Sequence, residues 1–280
     1  MSRPLLMGIV NATPDSFSDA QGEKSLAELV DLALSQVAAG AAIVDVGGES
    51  GRTDTDAVPV KQELARVAPL VEQLCAERVM VSVDTWRAPV ARAVLDAGAA
   101  MINDVSALSD PEIADACAAA GADLVITHTR LPPKTKGFPV YADVVEDVIA
   151  LLSERVEEAR AHGVPEDHLL LDPGIDLAKT PAESVEILRR LPELRRLGRP
   201  LLVGASRKDF VGALTGRPPA DRLAGTLAAL GAAADGGAAI LRVHDVGEAR
   251  DYLAVRAAVK GDAEVEDGLR LDPALRREPV

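Results

Sequence analysis

Polar or charged residues stand at the end of short apolar runs in this sequence, and their types divide into two chemical sets. The first set supplies hydrogen-bond acceptors and one amide that both donates and accepts: Asp84, Asn103 and Asp172. Three such groups brought together suit a flat heterocycle rich in N–H donors, such as a guanidine-like edge. The second set supplies positive charge: Arg207, Lys208, Arg242 and His244. Positive groups suit a phosphate or diphosphate, especially where helix N-termini assist them.

Asn11 ends the first apolar run and adds a different kind of ligand. Its amide oxygen, with neighbouring oxygens, could hold a hard cation such as Mg²⁺, which keeps water and substrate phosphates among its ligands. Any one of these residues alone is most simply a cap or a turn residue. The second run also ends in carboxylates, Asp45 and Glu49, and the fifth ends in His128. Eight runs that each end in polar groups exceed what turns require. We therefore predict a site for an amine-rich planar ligand beside an anionic group.

The elements that position these residues are short apolar runs separated by longer amphipathic stretches. Near-continuous apolar runs indicate strands buried on both faces, as in a parallel sheet. We predict strands at residues 5–10, 42–47, 79–84, 100–105, 122–127, 168–172, 200–204 and 239–244. We predict helices at residues 25–39, 61–76, 87–97, 111–120, 143–162, 181–196, 220–236 and 246–259. Glycines stand where several helices are expected to end, at Gly40, Gly98, Gly121, Gly163 and Gly198.

Eight strands that alternate with helices predict a (β/α)8 TIM barrel, an α/β fold whose active sites lie at the C-terminal ends of the strands. An open doubly wound sheet is the alternative, disfavoured by the regular units and by the lack of a GxGxxG motif. No linker divides the chain, so we expect one barrel domain over residues 1–259. Residues 260–280 carry charge and proline without apolar periodicity, and we expect a flexible polar tail there.

Composition narrows the classes of partner. The formal net charge of −14 and the pI near 4.8 argue against binding to nucleic acid or to an anionic membrane surface. Cys75 and Cys117 lack a CxxC spacing, which disfavours a disulfide framework or a zinc site and fits reduced thiols. The N-terminal apolar stretch is short for a signal peptide, and no run approaches the roughly 18 apolar residues of a membrane span. We expect a soluble cytoplasmic protein.

The motifs at the strand ends resemble those of the dihydropteroate synthases, which are pterin-binding enzymes. They are NATPDSFSD (11–19), DVGGES (45–50) followed by Arg52, SVDT (82–85), INDVS (102–106), LDPGI (171–175), GASRK (204–208), DRLAGT (221–226) and RVHDV (242–246). They stand in the family's order and cover residues 5–250. The SRK and RVHDV motifs separate the chain from the related pterin-binding methyltransferases, which share the barrel.

The resemblance implies a transferase of folate biosynthesis. In this family p-aminobenzoate is joined to 6-hydroxymethyl-7,8-dihydropterin diphosphate, and pyrophosphate is released with Mg²⁺ present. The step is largely dissociative, so diphosphate leaves before the amine attacks. The resemblance also implies the usual homodimer, built from the last helices. It further implies a target of sulfonamides, which mimic p-aminobenzoate, with reduced sensitivity if the acceptor site is loosened.

The resemblance also assigns roles to residues of this chain. The implied pterin ligands are Asp84, Asn103, Asp172 and Lys208. The implied diphosphate ligands are Asn11, Arg242 and His244, with Asn11 also near the metal. Together Lys208, Arg242, His244 and Asn11 form the implied catalytic set. The implied loop and acceptor residues are Asp19, Ser50, Arg52, Leu177, Ser206 and Asp209.

The chain departs from the family pattern in the half of the site that takes the acceptor. Gly51 and Thr53 stand where the family has threonine and proline, and Leu177 replaces a phenylalanine. Asp209 follows the SRK motif where a small or basic residue is usual. It is either a first-turn carboxylate that complements the helix dipole, worth roughly 0.3–1 kcal/mol, or a charge that opposes an anionic acceptor. Two hypotheses follow: a synthase with an altered acceptor site, or a paralogue that binds pterin diphosphate but uses another acceptor or is non-catalytic.

Two smaller features leave alternatives open. His128 ends the fifth predicted strand, where it either lines the site or makes a structural hydrogen bond. Residues 130–141 (RLPPKTKGFPVY) form an expected mobile loop whose lysines add positive charge, and a role as a lid stays open.

Overall fold

The structure, a computed structural model, describes residues 3–13, 25–50 and 56–275. The strands of this described part are short and mostly buried, as their apolar sequences require. They are β1 (Leu5–Asn11), β2 (Ile43–Gly47), β3 (Val81–Asp84), β4 (Met101–Asp104), β5 (Asp123–Thr127), β6 (Leu169–Asp172), β7 (Leu202–Val203) and β8 (Ile240–Val243).

All of these strands run parallel in one sheet, in the order β6-β5-β4-β3-β2-β1-β8-β7. A parallel bridge between Leu171 and Leu201 joins the two ends of that order. The amide of Leu171 donates to the Pro200 carbonyl over 3.0 Å at the same place. The sheet therefore closes into the predicted (β/α)8 TIM barrel, and the alternative of an open doubly wound sheet is wrong.

Helices follow the strands and pack outside the sheet. In the described part of the chain they are α1 (Leu26–Ala39), α2 (Val60–Ala76), α3 (Ala88–Asp96), α4 (Glu112–Ala120), α5 (Val144–Ala161), α6 (Pro181–Arg189), α7 (Asp209–Thr215), α8 (Leu223–Gly236) and α9 (Val246–Lys260). Ser25 and Glu28 form a capping box at the start of α1, and Asp143 caps α5. The five glycines expected at helix ends all have positive φ, between 64° and 114°, which confirms that prediction.

Two predicted helices differ from the structure, and one helix was not predicted. The helix expected over 181–196 ends at Arg189, and a 3-10 helix follows over Leu191–Leu197, because Pro192 has no N–H for an α-helical hydrogen bond. The helix expected at 220 begins at Leu223 after a 3-10 turn. The helix that the apolar pattern did not predict is α7, whose seven residues are too short to show a helical period; only the resemblance indicated a helix start at Asp209.

The interior of the barrel changes character along the strands. Its N-terminal half is filled by apolar side chains, namely those of Met7, Ile43, Met101, Val125, Leu170, Leu202 and Ile240. Two residues further along the strands the side chains again point inward. At this level Asp45 and Asn103 are buried, and Arg242 stands on β8, the strand between β1 and β7. The apolar layer therefore closes the bottom of the barrel, and the polar layer forms the floor of its C-terminal mouth.

Helix α9 ends at Lys260, and residues 261–273 after it are exposed to solvent. The flexibility of this tail stays a prediction. Among the described residues, none of the helices has the length and apolar content that crossing a membrane requires.

Candidate active site

The three predicted acceptors lie on neighbouring parts of the mouth. Asp84 at the end of β3 is paired in register with Asn103 on β4, and Asp172 ends β6. Asn103 is 2% exposed, and its Oδ1 has no hydrogen-bond partner among the described residues. The Thr127 hydroxyl, next to Asp172 in register, is likewise buried without a described partner. A buried acceptor without a donor is costly, so this part of the mouth is suited to a ligand that brings N–H donors.

The two acidic acceptors hold their protons more tightly than exposed carboxyls. Burial raises the pKa of Asp84 to about 7; Arg242 opposes that shift and the nearby Asp45 reinforces it. Burial also raises the pKa of Asp172, opposed by the hydrogen bond that its Oδ1 accepts from Gly174 N over 2.7 Å. The charge of Lys208 lowers the pKa of both carboxyls, which places this lysine between them electrostatically.

Asp45 is the connecting residue of the polar layer, although it was noted only as a strand-end carboxylate in the sequence. It is completely buried on β2. Its Oδ1 accepts from Ser82 Oγ over 2.6 Å, and its Oδ2 accepts from Asn103 Nδ2 over 3.1 Å and from Arg242 Nε over 2.6 Å. The bond to Asn103 Nδ2 fixes the amide, so that Oδ1 of Asn103 is left for a ligand.

Arg242 was predicted to hold the diphosphate, and the structure gives its guanidinium a second task. Besides the bond to Asp45, Nη2 donates to Asp84 Oδ2 over 3.0 Å. The side chain is 19% exposed, so it is reached from the mouth while it neutralises the carboxylates beneath it. The diphosphate role of Arg242 stays a prediction.

His244 was counted as a positive group, whereas its surroundings in the structure favour the neutral ring. Burial, together with the charges of Arg242 and Arg207, lowers its pKa to about 4, so the ring is neutral near pH 7. Ser206 Oγ accepts the backbone N–H of His244 over 3.2 Å and lies 3.0 Å from Nδ1. The serine proton is thereby directed to Nδ1, which leaves the ring proton on Nε2 as a neutral donor.

Of the two cations in the GASRK motif, one is already neutralised. Arg207 donates from Nε and Nη2 to the two carboxylate oxygens of Asp245, over 3.0 and 2.5 Å. Lys208 is half-buried and is the N-cap residue of α7. Lys208 therefore remains as the cation of this motif that can serve a ligand at the mouth.

Asn11 ends β1 at the mouth, as predicted, next to the backbone of Gly47 on β2. A Cβ placed on Gly47 would lie 3.2 Å from Asn11 Oδ1, so the missing side chain keeps the space in front of this oxygen open. Within the described ranges, no group of three or more His, Cys, Asp or Glu side chains is arranged to bind a metal. A single amide oxygen suits a Mg²⁺ ion that takes its other ligands from substrate phosphates and water.

The residues predicted for the p-aminobenzoate half of the site are not all brought into it. The Asp209 side chain is 91% exposed, and its Oδ1 accepts from Arg222 Nη1 over 2.9 Å. It is therefore a first-turn carboxylate of α7, the simpler of the two interpretations. Leu177 is half-buried in the β6–α6 loop, and Ser50 follows β2. Asp19, Arg52, Gly51 and Thr53 lie outside the described residues.

A buried charge cluster beside the mouth was missed in the sequence. Arg87 donates to Glu49 Oε2 over 2.7 Å and also to Glu63, and both acids are buried. Lys134 donates from Nζ to the Ser50 carbonyl over 2.5 Å and lies 3.4 Å from Glu49. Lys134 therefore fastens the segment 130–141 to the end of β2, which gives this loop a defined contact across the mouth.

A second buried cation holds the loop after β6. Lys179 is 2% exposed, and its Nζ donates to the carbonyls of Gly174, Leu177 and His128 over 2.9, 3.0 and 3.2 Å. Burial lowers the pKa of Lys179 to about 7. His128 is buried, and its Nε2 lies 2.9 Å from Asp147 Oδ1, so its role is the structural one of the two left open.

Comparison with known proteins supports the same family. The model of the family "Pterin binding enzyme" matches residues 7–244. The dihydropteroate synthase of Synechocystis sp. is 44% identical over 248 residues, which cover 87% of this chain and 86% of that protein. A probable bifunctional folylpolyglutamate synthase/dihydropteroate synthase of Haloferax volcanii is 44% identical over 94% of this chain. The match spans only 32% of that longer protein.

Among solved structures, dihydropteroate synthase from Xanthomonas albilineans with 4-aminobenzoic acid has the same fold. Its TM-score is 0.86 at 45% sequence identity, and the match covers 92% of this chain and 93% of that one. Sequence, fold and the order of the strand-end motifs thus agree over the whole barrel. The chain therefore belongs to the pterin binding enzyme family, among its dihydropteroate synthases.

Proposed function

We propose that this chain joins p-aminobenzoate to 6-hydroxymethyl-7,8-dihydropterin diphosphate, which makes it a transferase that forms 7,8-dihydropteroate and pyrophosphate. The observation that carries the proposal is the buried Oδ1 of Asn103, which has no described partner and lies beside the carboxylate of Asp84. The amino and ring N–H groups of a pterin are the donors that such acceptors require. Asp172, at the end of β6, supplies a further acceptor.

The reaction breaks one bond and forms another at the pterin methylene carbon. The C–O bond to the diphosphate breaks first, and the electron pair leaves with the diphosphate oxygen. The amine nitrogen of p-aminobenzoate then donates its lone pair to the methylene carbon and loses a proton. The protein's task is to stabilise charge on the leaving group and on the developing cation.

The described residues divide that task. Lys208 and Arg242 provide positive charge at the mouth, and His244 provides a neutral Nε2–H donor for a phosphate oxygen. The carboxylates of Asp84 and Asp172 lie on the pterin side and stabilise positive charge on the ring. The fixed positions of Asp45, Ser82 and Ser206 keep these groups oriented before substrate binds.

We propose Mg²⁺ as the metal, with Asn11 as its protein ligand. The open space in front of Asn11 Oδ1 supports this proposal. The ion would neutralise the diphosphate and favour its departure. Asn11 would bind and orient the ion, and the phosphate and water ligands would complete its shell.

The position of Asp209 gives no support to the paralogue hypothesis, in which the chain uses another acceptor or is non-catalytic. Its carboxylate points to solvent and is held by Arg222, so it does not oppose an anionic acceptor at the mouth. We therefore propose p-aminobenzoate as the acceptor and sulfonamides as inhibitors. The cytoplasm stays our prediction for the location of the protein.

We also propose a homodimer. An apolar groove between α6, α7 and α8 supports it, with Leu188, Phe210 and Ala232 in its walls and Leu214 69% exposed at its edge. Apolar surface of this kind is typical of subunit contacts. Light scattering coupled to size exclusion should give twice the 29.2 kDa chain mass, and a Leu214→Glu variant should shift the protein toward one chain mass.

The test of the reaction is product formation by variants of the proposed catalytic set. Lys208→Ala and Arg242→Ala should each lower dihydropteroate formation, followed by chromatography, by at least about 100-fold. Asn103→Ala should weaken the affinity for a pterin without phosphate by about tenfold, since one acceptor is lost. Wild-type turnover in both Lys208→Ala and Arg242→Ala would contradict the proposed mechanism.

A further inference from the structure

Helix α7 is capped at its N-terminus by a residue from a different part of the barrel. Its own N-cap residue, Lys208, makes no side-chain capping hydrogen bond. The amide of Phe210, in the first turn, instead donates to Asp176 Oδ2 over 3.1 Å. Asp176 lies in the β6–α6 loop, four residues after Asp172. The first turn of a helix has amide groups that need such an acceptor, and here the acceptor comes from another element.

Asp176 is itself held in one orientation. Its Oδ1 accepts from Ser184 Oγ over 2.9 Å, and the backbone amide of Asp176 donates to Ser184 Oγ over 3.1 Å. Ser184 is completely buried on α6. The φ of Asp176 is 62°, a left-handed conformation that aspartate tolerates better than most residues. Both carboxylate oxygens are thus used, one toward α6 and the other toward α7.

The loop that carries Asp176 is fixed from below as well. Lys179 holds the carbonyls of Gly174 and Leu177, on either side of Asp176 in the chain. Gly174 in turn donates its amide to Asp172, the carboxylate at the mouth. A chain of short contacts therefore leads from Asp172 through the loop to Asp176, and from Asp176 to the helix that begins after Lys208.

We infer that Asp176 is a positioning residue for the transfer reaction, because it holds the segment that carries Lys208 in fixed register with the loop that carries Asp172. This inference rests on the proposed function, in which both residues contact the substrate. Rates of such reactions depend steeply on the placement of the charged group, and a misplacement of about 1 Å can cost about 100-fold. A loosened α7 would therefore lower turnover more than it lowers folding stability.

The test compares three variants at this position and its partner. Asp176→Gly removes the carboxylate, and glycine adopts the positive φ without strain. Asp176→Asn keeps the size but has a single acceptor oxygen for the two donors, Phe210 N–H and Ser184 Oγ–H, so one of the two anchors is lost. Ser184→Ala keeps the carboxylate and removes one of its two anchors. We expect kcat to fall about tenfold in the first two variants and about threefold in Ser184→Ala.

The matched control is Asp143→Ala, which removes a side-chain cap from α5, whereas asparagine would still cap this helix. This cap touches neither Asp172 nor Lys208, so its loss should lower the melting temperature without lowering kcat per folded molecule. A second readout is hydrogen exchange at the Phe210 amide. Exchange should be about fivefold faster in Asp176→Gly than in the wild-type protein.

The outcomes separate this inference from the proposed function. A wild-type protein without synthase activity would contradict the proposed function. Faster hydrogen exchange at the Phe210 amide in Asp176→Gly would still show that Asp176 caps α7. Unchanged exchange and unchanged kcat in both Asp176 variants would overturn the inference. An equal fall in kcat in Asp143→Ala would also overturn it, because a general loss of capping would then explain the effect.

Discussion

The carboxylate of Asp45 joins Arg242 to Asn103 beneath the mouth of the barrel. Its Oδ2 lies 2.6 Å from Arg242 Nε and 3.1 Å from Asn103 Nδ2. One buried acid thus orients a cation expected at the diphosphate and an amide expected at the pterin. The two halves of the substrate site share a common support.

Asp45→Asn should disturb both halves of the site. The change leaves Arg242 with a weaker partner in a buried setting, and we expect a loss of about 3 kcal/mol in the free energy of unfolding. Turnover should fall by about 100-fold, since Arg242 and Asn103 both lose their orientation. Asp96→Asn, at an exposed acid near the end of α3, is the control for stability and activity. Chemical denaturation and steady-state kinetics give the two values, and an Asp45→Asn protein with wild-type turnover would contradict this account.

Pterin binding should depend on pH through Asp84. Its pKa of about 7 means that the acceptor is lost to protonation as the pH falls below 7. The affinity for a pterin without phosphate, measured by calorimetry, should fall about tenfold between pH 8 and pH 6. Asp84→Asn should bind weakly at both pH values and remove this dependence. A flat wild-type profile, or the same slope in the variant, would exclude Asp84 as the titrating group.

The raised pKa of Asp84 also makes the free energy of unfolding depend on pH. The folded protein holds the proton of Asp84 more tightly than the unfolded chain does, where an Asp has a pKa of about 3.9. The contribution of Asp84 to stability should therefore decrease as the pH rises from about 4 to about 7. In Asp84→Asn this part of the pH dependence of the unfolding free energy should disappear.

His244 should act without titrating near neutral pH. With its pKa lowered to about 4, its NMR signals should stay constant between pH 5.5 and pH 8. His244→Gln retains an N–H donor, and we expect it to keep more affinity for pyrophosphate than His244→Ala does. A titration of His244 near pH 6.5 would show that it is a cation at the site.

Lys179 should matter for stability, since it satisfies three carbonyls at once. Lys179→Met would leave these carbonyls buried without their donor, at a cost of about 2–4 kcal/mol. Because burial lowers its pKa to about 7, whereas an unfolded lysine titrates near 10.4, the wild-type protein should gain stability from this group as the pH rises from about 7 to about 10. Lys136→Met, at an exposed lysine, is the control in thermal unfolding.

The sequence predicted the barrel and most of the site because the signals were local. Each strand is a short buried apolar run, and its polar end residue follows directly, as in Asp84 and Asp172. The connecting role of Asp45 could not be predicted in the same way. Its partner Arg242 is 197 residues away, and only the register of the closed sheet brings the two together.

The orientation and charge state of individual side chains could not be predicted from the sequence either. Asp209 in the first turn of α7 is exposed, whereas Asp176, from the β6–α6 loop, caps this helix. A histidine can carry a positive charge, but burial next to Arg242 keeps His244 neutral. Such outcomes depend on packing and on neighbouring charge, which composition and spacing do not contain.

The proposed synthase reaction is tested most directly by pyrophosphate release from the dihydropterin diphosphate with Mg²⁺, measured with and without p-aminobenzoate. We expect release that requires p-aminobenzoate and equals the dihydropteroate formed, as followed by chromatography. Binding of the pterin diphosphate without any product that depends on p-aminobenzoate would contradict it. That result would assign the pterin half of the site to a different acceptor or to a non-catalytic role.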